Sequence, residues 1–198
     1  MKNRIRLVLA SASPRRRELL AQIGMMPEII PSTIEEKITV SEPEEVVLEL
    51  SRQKAMDVAS GREPETLVIG ADTVVAAGGR ILGKPVDHEQ AKEMISLLAG
   101  GTHQVYTGVT LVYCGKTGEQ IKSFVEKTNV YVYPMTEKEI LEYANSEEPL
   151  DKAGAYGIQG KFAAFIKGID GDYNNVVGLP VGRVYQEIKK LLEEEEKG

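Results

Sequence analysis

Residues 6–24 read RLVLASASPRRRELLAQIG, and the way this stretch divides decides the fold. Arg6 to Ala10 is an apolar run of the length of a short buried strand. Ser11-Ala12-Ser13-Pro14 has the form of a helix start. The Ser13 hydroxyl suits the N-cap, where it accepts an amide of the first turn, and Pro14 suits the first helical position, which needs no amide hydrogen. Leu19, Leu20 and Ile23 then recur at helical spacing, and Gly24 is a helix stop. A strand passing through a tight turn into a helix opens an α/β chain.

Working outward, Ile29-Ile30 reads as a short strand, and Ser41 with Glu44 reads as a capping box for a helix running to about Ala59. That helix has Val47, Leu50 and Val58 on its apolar face. Thr66 to Ala76 predicts a central strand, Gly78-Gly79 a hairpin turn, and Arg80 to Leu82 the return. Asp87 and Gln90 begin a helix carrying Ala91, Met94, Ile95 and Leu98, closed by Gly100-Gly101. Two long strands follow, His103 to Tyr113 and Gln120 to Tyr133, joined near Gly115 to Gly118. Thr136 and Glu139 form another capping box. Pro149 to Lys161 reads as a loop, Phe162 to Ile169 as a strand, Asp170 to Asp172 as a turn, and Val181, Val184, Tyr185, Ile188, Leu191 and Leu192 as one face of a last helix. Strands alternate with helices and paired strands intrude midway. That order predicts an α/β fold with a mixed twisted sheet and flanking helices, in one domain over residues 1–198 with an acidic tail from about residue 193.

Composition narrows the function. The 198 residues carry a formal charge of −6, which argues against binding a nucleic acid polymer through the general surface. The one cysteine, Cys114, excludes an internal disulfide and a cysteine-built zinc site, and its apolar neighbours suit a small buried hydrophobe. No run approaches the roughly 18 apolar residues of a membrane span, and nothing has the form of a secretory leader, so a reduced, cytoplasmic protein is expected.

Against that acidic background Arg15-Arg16-Arg17 stands out. Arginines in a first turn oppose the helix dipole, a cost that vanishes when an anion occupies the helix start. Arg15 and Arg16 thus suit phosphate, or form an exposed surface cluster. Asp72 lies inside the apolar strand, where an unpaired carboxylate is costly. It suits a metal ligand or a general base, or a structural pairing with Lys or Arg. Lys54 falls on the apolar face of its helix, so it snorkels outward or meets an anion. Glu36 is a candidate metal carboxylate or an exposed loop residue. Gly78 to Lys84 fits most of a P-loop pattern, but Pro85 replaces the hydroxyl residue that would hold magnesium, which leaves Lys84 as a phosphate candidate or a plain surface lysine. Asp151 to Gly160 is rich in small residues around Gln159, whose amide presents both a donor and an acceptor to a base edge.

Six segments resemble the Maf family of nucleotide pyrophosphatases, in the family's order and across nearly the whole chain: Ser11 to Arg16, Gly70 to Val75, Gly83-Lys84-Pro85, Tyr106 to Val109, Asp151 to Gly154, and Tyr173 to Pro180. The resemblance implies a fold like that of inosine-triphosphate pyrophosphatases, with two lobes around a cleft, and a homodimer. It implies Asp72 as proton acceptor; Arg15, Thr73 and Gln159 at specificity positions; Ser11, Arg16, Lys54 and Lys84 at phosphate positions; and Glu36 as a metal carboxylate. Together with Asp72 it would hold magnesium or manganese. The run Tyr156 to Gly160 resembles the subgroup preferring dTTP and UTP. The alternatives are a same-fold enzyme acting on non-standard purine nucleotides and a non-catalytic nucleotide-binding regulator of septum formation.

Overall fold

The computed structural model describes residues 5–115 and 118–195. Its elements, in chain order, are β1 (Arg6–Leu9), α1 (Pro14–Gln22), β2 (Glu28–Ile29), α2 (Pro43–Ala59), β3 (Thr66–Ala77), β4 (Arg80–Leu82), α3 (His88–Leu98), β5 (Thr102–Cys114), β6 (Glu119–Val132), α4 (Glu137–Ala144), β7 (Ile166–Asp170), α5 (Tyr173–Val177) and α6 (Val181–Glu195). The strands form a mixed seven-stranded sheet in the order β2-β1-β3-β5-β6-β7, with β4 hydrogen-bonded to β3. β1 runs parallel to β2 and to β3, whereas β3–β4 and β6–β7 are antiparallel.

The chain divides into two compact units. The first takes the chain up to Asp72, Thr107–Glu126, and the residues from Gly178 onward. α2 lies on the sheet there, and Val8, Ala10, Val68, Val112 and Cys114 pack with Ala55, Val58 and Ala59 of the helix. These five positions, in or directly after a strand, are all even-numbered, as the two-residue period of a strand requires. Two glycines on that same face let the helix come close. A Cβ on Gly70 would stand 2.5 Å from the Ser51 carbonyl oxygen, and one on Gly108 would overlap the Val47 carbonyl.

The second unit comprises Thr73–Tyr106 and Lys127–Val177. Gly78 and Gly79 turn the β3–β4 hairpin with φ of 55° and 72°, the left-handed region a two-residue hairpin needs. Asp87 caps α3, accepting from Gln90 N at 2.8 Å, and Thr136 with Glu139 completes the capping box of α4. The expected loop Pro149 to Lys161 is instead folded into short 3₁₀ turns, Glu148–Asp151 and Ala153–Ala155, and a third, Lys161–Phe165, displaces the start of the strand expected at Phe162. The physical reason is aromatic packing. A 3₁₀ turn sets Phe162 and Phe165 on one side, and fully buried Phe162 stacks on Tyr143, Tyr156 and Phe165.

Other expectations shift for local reasons. The Ser41–Glu44 capping box is absent: α2 starts at Pro43, Glu42 occupies the N-cap, and no side chain caps it. β2 pairs Glu28 and Ile29 rather than Ile29 and Ile30. Ile23 and Tyr185 are exposed. Tyr185 sits one residue, about 100°, past the buried Val181–Val184–Ile188–Leu191 stripe of α6. α5 was missed; Asp172 accepts from Asn174 N at its start, and buried Asn175 ties it to Val105 and Thr128. Cys114 is buried, and that burial raises its thiol pKa. The end of the acidic tail and most of the β5–β6 turn fall outside the described residues. No described helix is long and apolar enough to cross a membrane.

Candidate active site

The chemistry in the first unit begins where β1 hands over to α1. Ser13 caps α1, with its hydroxyl 3.5 Å from Arg16 N, and Ser11 Oγ accepts from Ser13 N at 3.2 Å. The first turn holds no acidic side chain. Arg16 folds back from that turn. Its Nη1 donates to Ser11 Oγ at 3.1 Å and to the Ala71 carbonyl at 2.9 Å, and its Nε donates to the Gly178 carbonyl at 2.9 Å. Burial lowers the Arg16 pKa, and Asp72 and Glu36 oppose that while Arg15 adds to it. Arg16 thus braces the loop after β1, the middle of β3 and the segment before α6.

Asp72 follows on β3, two residues after Gly70 and therefore on the face that meets α2. Because Gly70 admits the helix so closely, Lys54 reaches the strand. Its ammonium lies 2.5 Å from Asp72 Oδ1 and 3.0 Å from Glu36 Oε1. The Lys54 and Asp72 side chains are each 15% exposed and Glu36 is 46% exposed. Lys54 does not snorkel; it bridges two carboxylates. Ser11, Arg16, Glu36, Lys54 and Asp72 are linked by these contacts in one unit, and Arg15 adjoins them on α1.

Glu36 lies in an irregular stretch, and α2 determines where that stretch runs. Asp57 accepts from Ser32 Oγ at 2.7 Å and Thr33 N at 3.1 Å. Gln53 accepts from Lys37 N at 3.0 Å and donates to the Lys37 carbonyl at 2.6 Å. Glu49 accepts from Thr39 N at 2.9 Å and Thr39 Oγ1 at 2.7 Å. Sequence reading missed these residues and the Gly178 carbonyl. The spacing of 49, 53 and 57 was a visible signal, one row of polar side chains along a helix, but nothing in the sequence named its partner.

The remaining candidates belong to the second unit. Thr73 is half-buried, and Lys84 and Gln159 are exposed. Gly154 N donates to the Gly83 carbonyl at 3.0 Å, joining the turn before Lys84 to the loop that carries Gln159. A Cβ on Gly154, whose φ is 67°, would press within 2.9 Å of Val75. That loop is held at its middle and across its ends. Tyr156 OH shares a 2.7 Å hydrogen bond with His103 Nε2, and Glu148 Oε2 accepts from Lys161 N at 3.0 Å. His103 is fully buried, and desolvation pulls its pKa down to about 4.

As to a metal, no group of three or more His, Cys, Asp or Glu side chains that could hold one occurs among the described residues. Two carboxylates, Glu36 and Asp72, do converge on a single cation, the Lys54 ammonium. A pair of carboxylates completed by phosphate and water oxygens is a common magnesium donor set. The residues present fit that arrangement.

A family model described as Maf-like protein matches residues 6–191. A protein of Agathobacter rectalis named dTTP/UTP pyrophosphatase is 57% identical over 93% of this chain and 97% of its own length. Proteins of the same name from Carboxydothermus hydrogenoformans and Lachnoclostridium phytofermentans are 52% and 50% identical, over 94% and 93% of this chain and 98% and 94% of their own lengths. Among solved structures, a HAM1 protein from Coxiella burnetii matches with a TM-score of 0.50 and 12% identity, over 96% of this chain and 100% of that one, a likeness of fold.

Proposed function

We propose that this chain, which belongs to the Maf family, is a nucleoside-triphosphate pyrophosphatase that cleaves a pyrimidine nucleotide between its α and β phosphates. Family membership and the name shared by relatives at half or more identity support the reaction. The observation that carries it in the structure is the Asp72 carboxylate, set on β3 beside Lys54 and next to the Ala71 carbonyl that Arg16 holds.

In this reading Asp72 accepts a proton from water as the water oxygen bonds to the α phosphorus. The bond from that phosphorus to the bridging oxygen breaks, and pyrophosphate leaves with the electron pair. Lys54 moves from the carboxylates to the phosphates, and with Arg15 and Arg16 meets the charge that grows on the leaving group. Ser11 and the amides at the start of α1 receive phosphate oxygens. Glu36 and Asp72 would hold magnesium or manganese. When bound, the ion would neutralise phosphate charge and orient the chain. Lys84, as a phosphate ligand, and Thr73 and Gln159, with Arg15 in specificity, enter on the family resemblance. Gln159 can pair a donor and an acceptor with a uracil or thymine edge. A house-cleaning role on the nucleotide pool, a cytoplasmic setting and a homodimer belong to the same proposal.

The test is hydrolysis of UTP, dTTP, CTP and GTP with magnesium, with both products identified. UTP and dTTP should give the monophosphate and pyrophosphate fastest; equal rates for all four would discard the base preference. Asp72→Asn should lower turnover by about 10²-fold or more without loss of the folded state, and near-normal turnover would reject Asp72 as the base.

A further inference from the structure

The segment from Ser32 to Thr39 runs antiparallel along the outer face of α2, fastened at Asp57, Gln53 and Glu49. The fastenings are unevenly spaced on the segment. Consecutive rungs on the helix are four residues, roughly 6 Å, apart. Thr39 to Lys37 is two residues, roughly 7 Å of extended chain, and matches that step. Lys37 to Thr33 is four residues, roughly 13 Å extended, against the same helical step of roughly 6 Å. The excess must bow away from the row of rungs. Glu36 lies on this bow, one residue from Lys37, and Lys54 is the neighbour of Gln53. The Lys37 rung, closed in both directions by one carboxamide, therefore sets the bow beside Lys54 and Asp72.

We propose that Gln53, with Glu49 and Asp57, is a positioning residue for the reaction: the three side chains hold residues 32–39 on α2 so that the Glu36 carboxylate is delivered to Lys54 and Asp72. The proposal rests on the active-site reading above, because Glu36 must matter for its placement to matter. The three side chains hold the Thr33, Lys37 and Thr39 amides and act through the backbone on either side of Glu36.

A double-mutant cycle tests this. Gln53→Ala should lower kcat/KM for UTP about tenfold at limiting magnesium, the scale at which groups supporting a ligand act, while its melting transition stays within a few degrees of the parent. Glu49→Ala should act in the same direction, and Glu49→Gln, whose carboxamide can still serve both Thr39 groups, should restore most of the loss. In a Glu36→Gln background, Gln53→Ala should add no further loss. In the nucleotide-free and metal-free protein, amide exchange at Lys37 should quicken in Gln53→Ala and at Thr39 in Glu49→Ala. Independent, multiplying losses from Gln53→Ala and Glu36→Gln would overturn the positioning role while leaving the active site in place. Unchanged exchange at both amides would overturn the fastening itself. Full activity of Glu36→Gln would overturn the site reading, and the positioning role with it.

Discussion

Arg16 shows how one side chain serves structure and charge together. Its guanidinium is committed to Ser11 Oγ, the Ala71 carbonyl and the Gly178 carbonyl, acceptors from three separate stretches of chain. A planar fork with fixed donors can do this, and a lysine ammonium cannot hold the same geometry. Arg16→Ala should lower unfolding free energy by ~2–4 kcal/mol, since two buried carbonyls lose a charged donor. Arg16→Lys should recover less than half of it. Urea denaturation measures both, and an unchanged midpoint in Arg16→Ala would remove the bracing role. Lys54 carries the second lesson at this scale. Its place on an apolar helix face was evident from spacing, but its two carboxylate partners come from segments 18 residues away on either side of it in sequence: Asp72 by count from Lys54, and Glu36 likewise.

At the scale of elements, α2 organises the site. Its inner face, with Val47, Leu50, Ser51, Ala55 and Val58, is buried. Its outer row fastens residues 32–39, and Lys54 lies between the two. Gly70 controls how near the inner face can come. Gly70→Ala would place a methyl 2.5 Å from the Ser51 carbonyl and 2.7 Å from Ala55 N, backbone atoms that cannot rotate away. The helix must lift or the strand must bend, at a cost of ~1–3 kcal/mol. Either response draws Lys54 from Asp72, so Gly70→Ala should lose both melting temperature and turnover. Stability loss with full turnover would show that the closeness of α2 does not set the site. The start of α2 was misread because Ser41 and Glu44 satisfy the capping-box pattern, yet Pro43 fixes its own φ and enters as the first helical residue, one place beyond Glu42. The 3₁₀ turn at Lys161–Phe165 was misread as strand because Phe162 to Ile166 is apolar throughout, and a short apolar run does not reveal its period.

For the whole molecule, the titrating groups predict how stability depends on pH. His103 is fully buried and its pKa is pulled down to about 4 from 6.5 by desolvation. The unfolded chain takes up that proton near pH 6.5 and the folded chain only near 4, so stability falls as pH drops through this window, by about 3 kcal/mol at most for a shift of that size. The carboxylates act lower down. Glu49 is held down by the Thr39 amide and hydroxyl, Asp57 by the Ser32 hydroxyl and Thr33 amide, and Glu139 by the Thr136 amide and hydroxyl. Depressed carboxylate pKa values stabilise the fold above the unfolded values and lose that contribution as pH falls through the folded ones, below roughly pH 4. Chemical denaturation from pH 7 to 3 should therefore show a decline beginning near pH 6.5 that His103→Gln abolishes, and a steeper one below about pH 4 that it leaves in place. A His103→Gln profile identical to the parent between pH 6.5 and 4 would show that His103 does not titrate between the two states.

The local order of this protein was legible in its residues. Ser13-Pro14 starts α1, Gly78-Gly79 turns a hairpin, Thr136 with Glu139 caps α4, and the alternation of strands and helices indicates a mixed α/β sheet, because capping, turn geometry and periodicity act over a few bonds. The ordered motifs likewise marked Asp72 and Arg16, and the spacing of its helix marked Lys54, as residues to watch. Only the tertiary structure decided which of them meet. The Lys54 bridge from Glu36 to Asp72 depends on how closely α2 lies on the sheet, and the Arg16 brace to Gly178 162 residues away and the fastening of residues 32–39 to α2 likewise depend on the distance between remote segments. That distance is set by packing between segments remote in the chain, which no local pattern encodes.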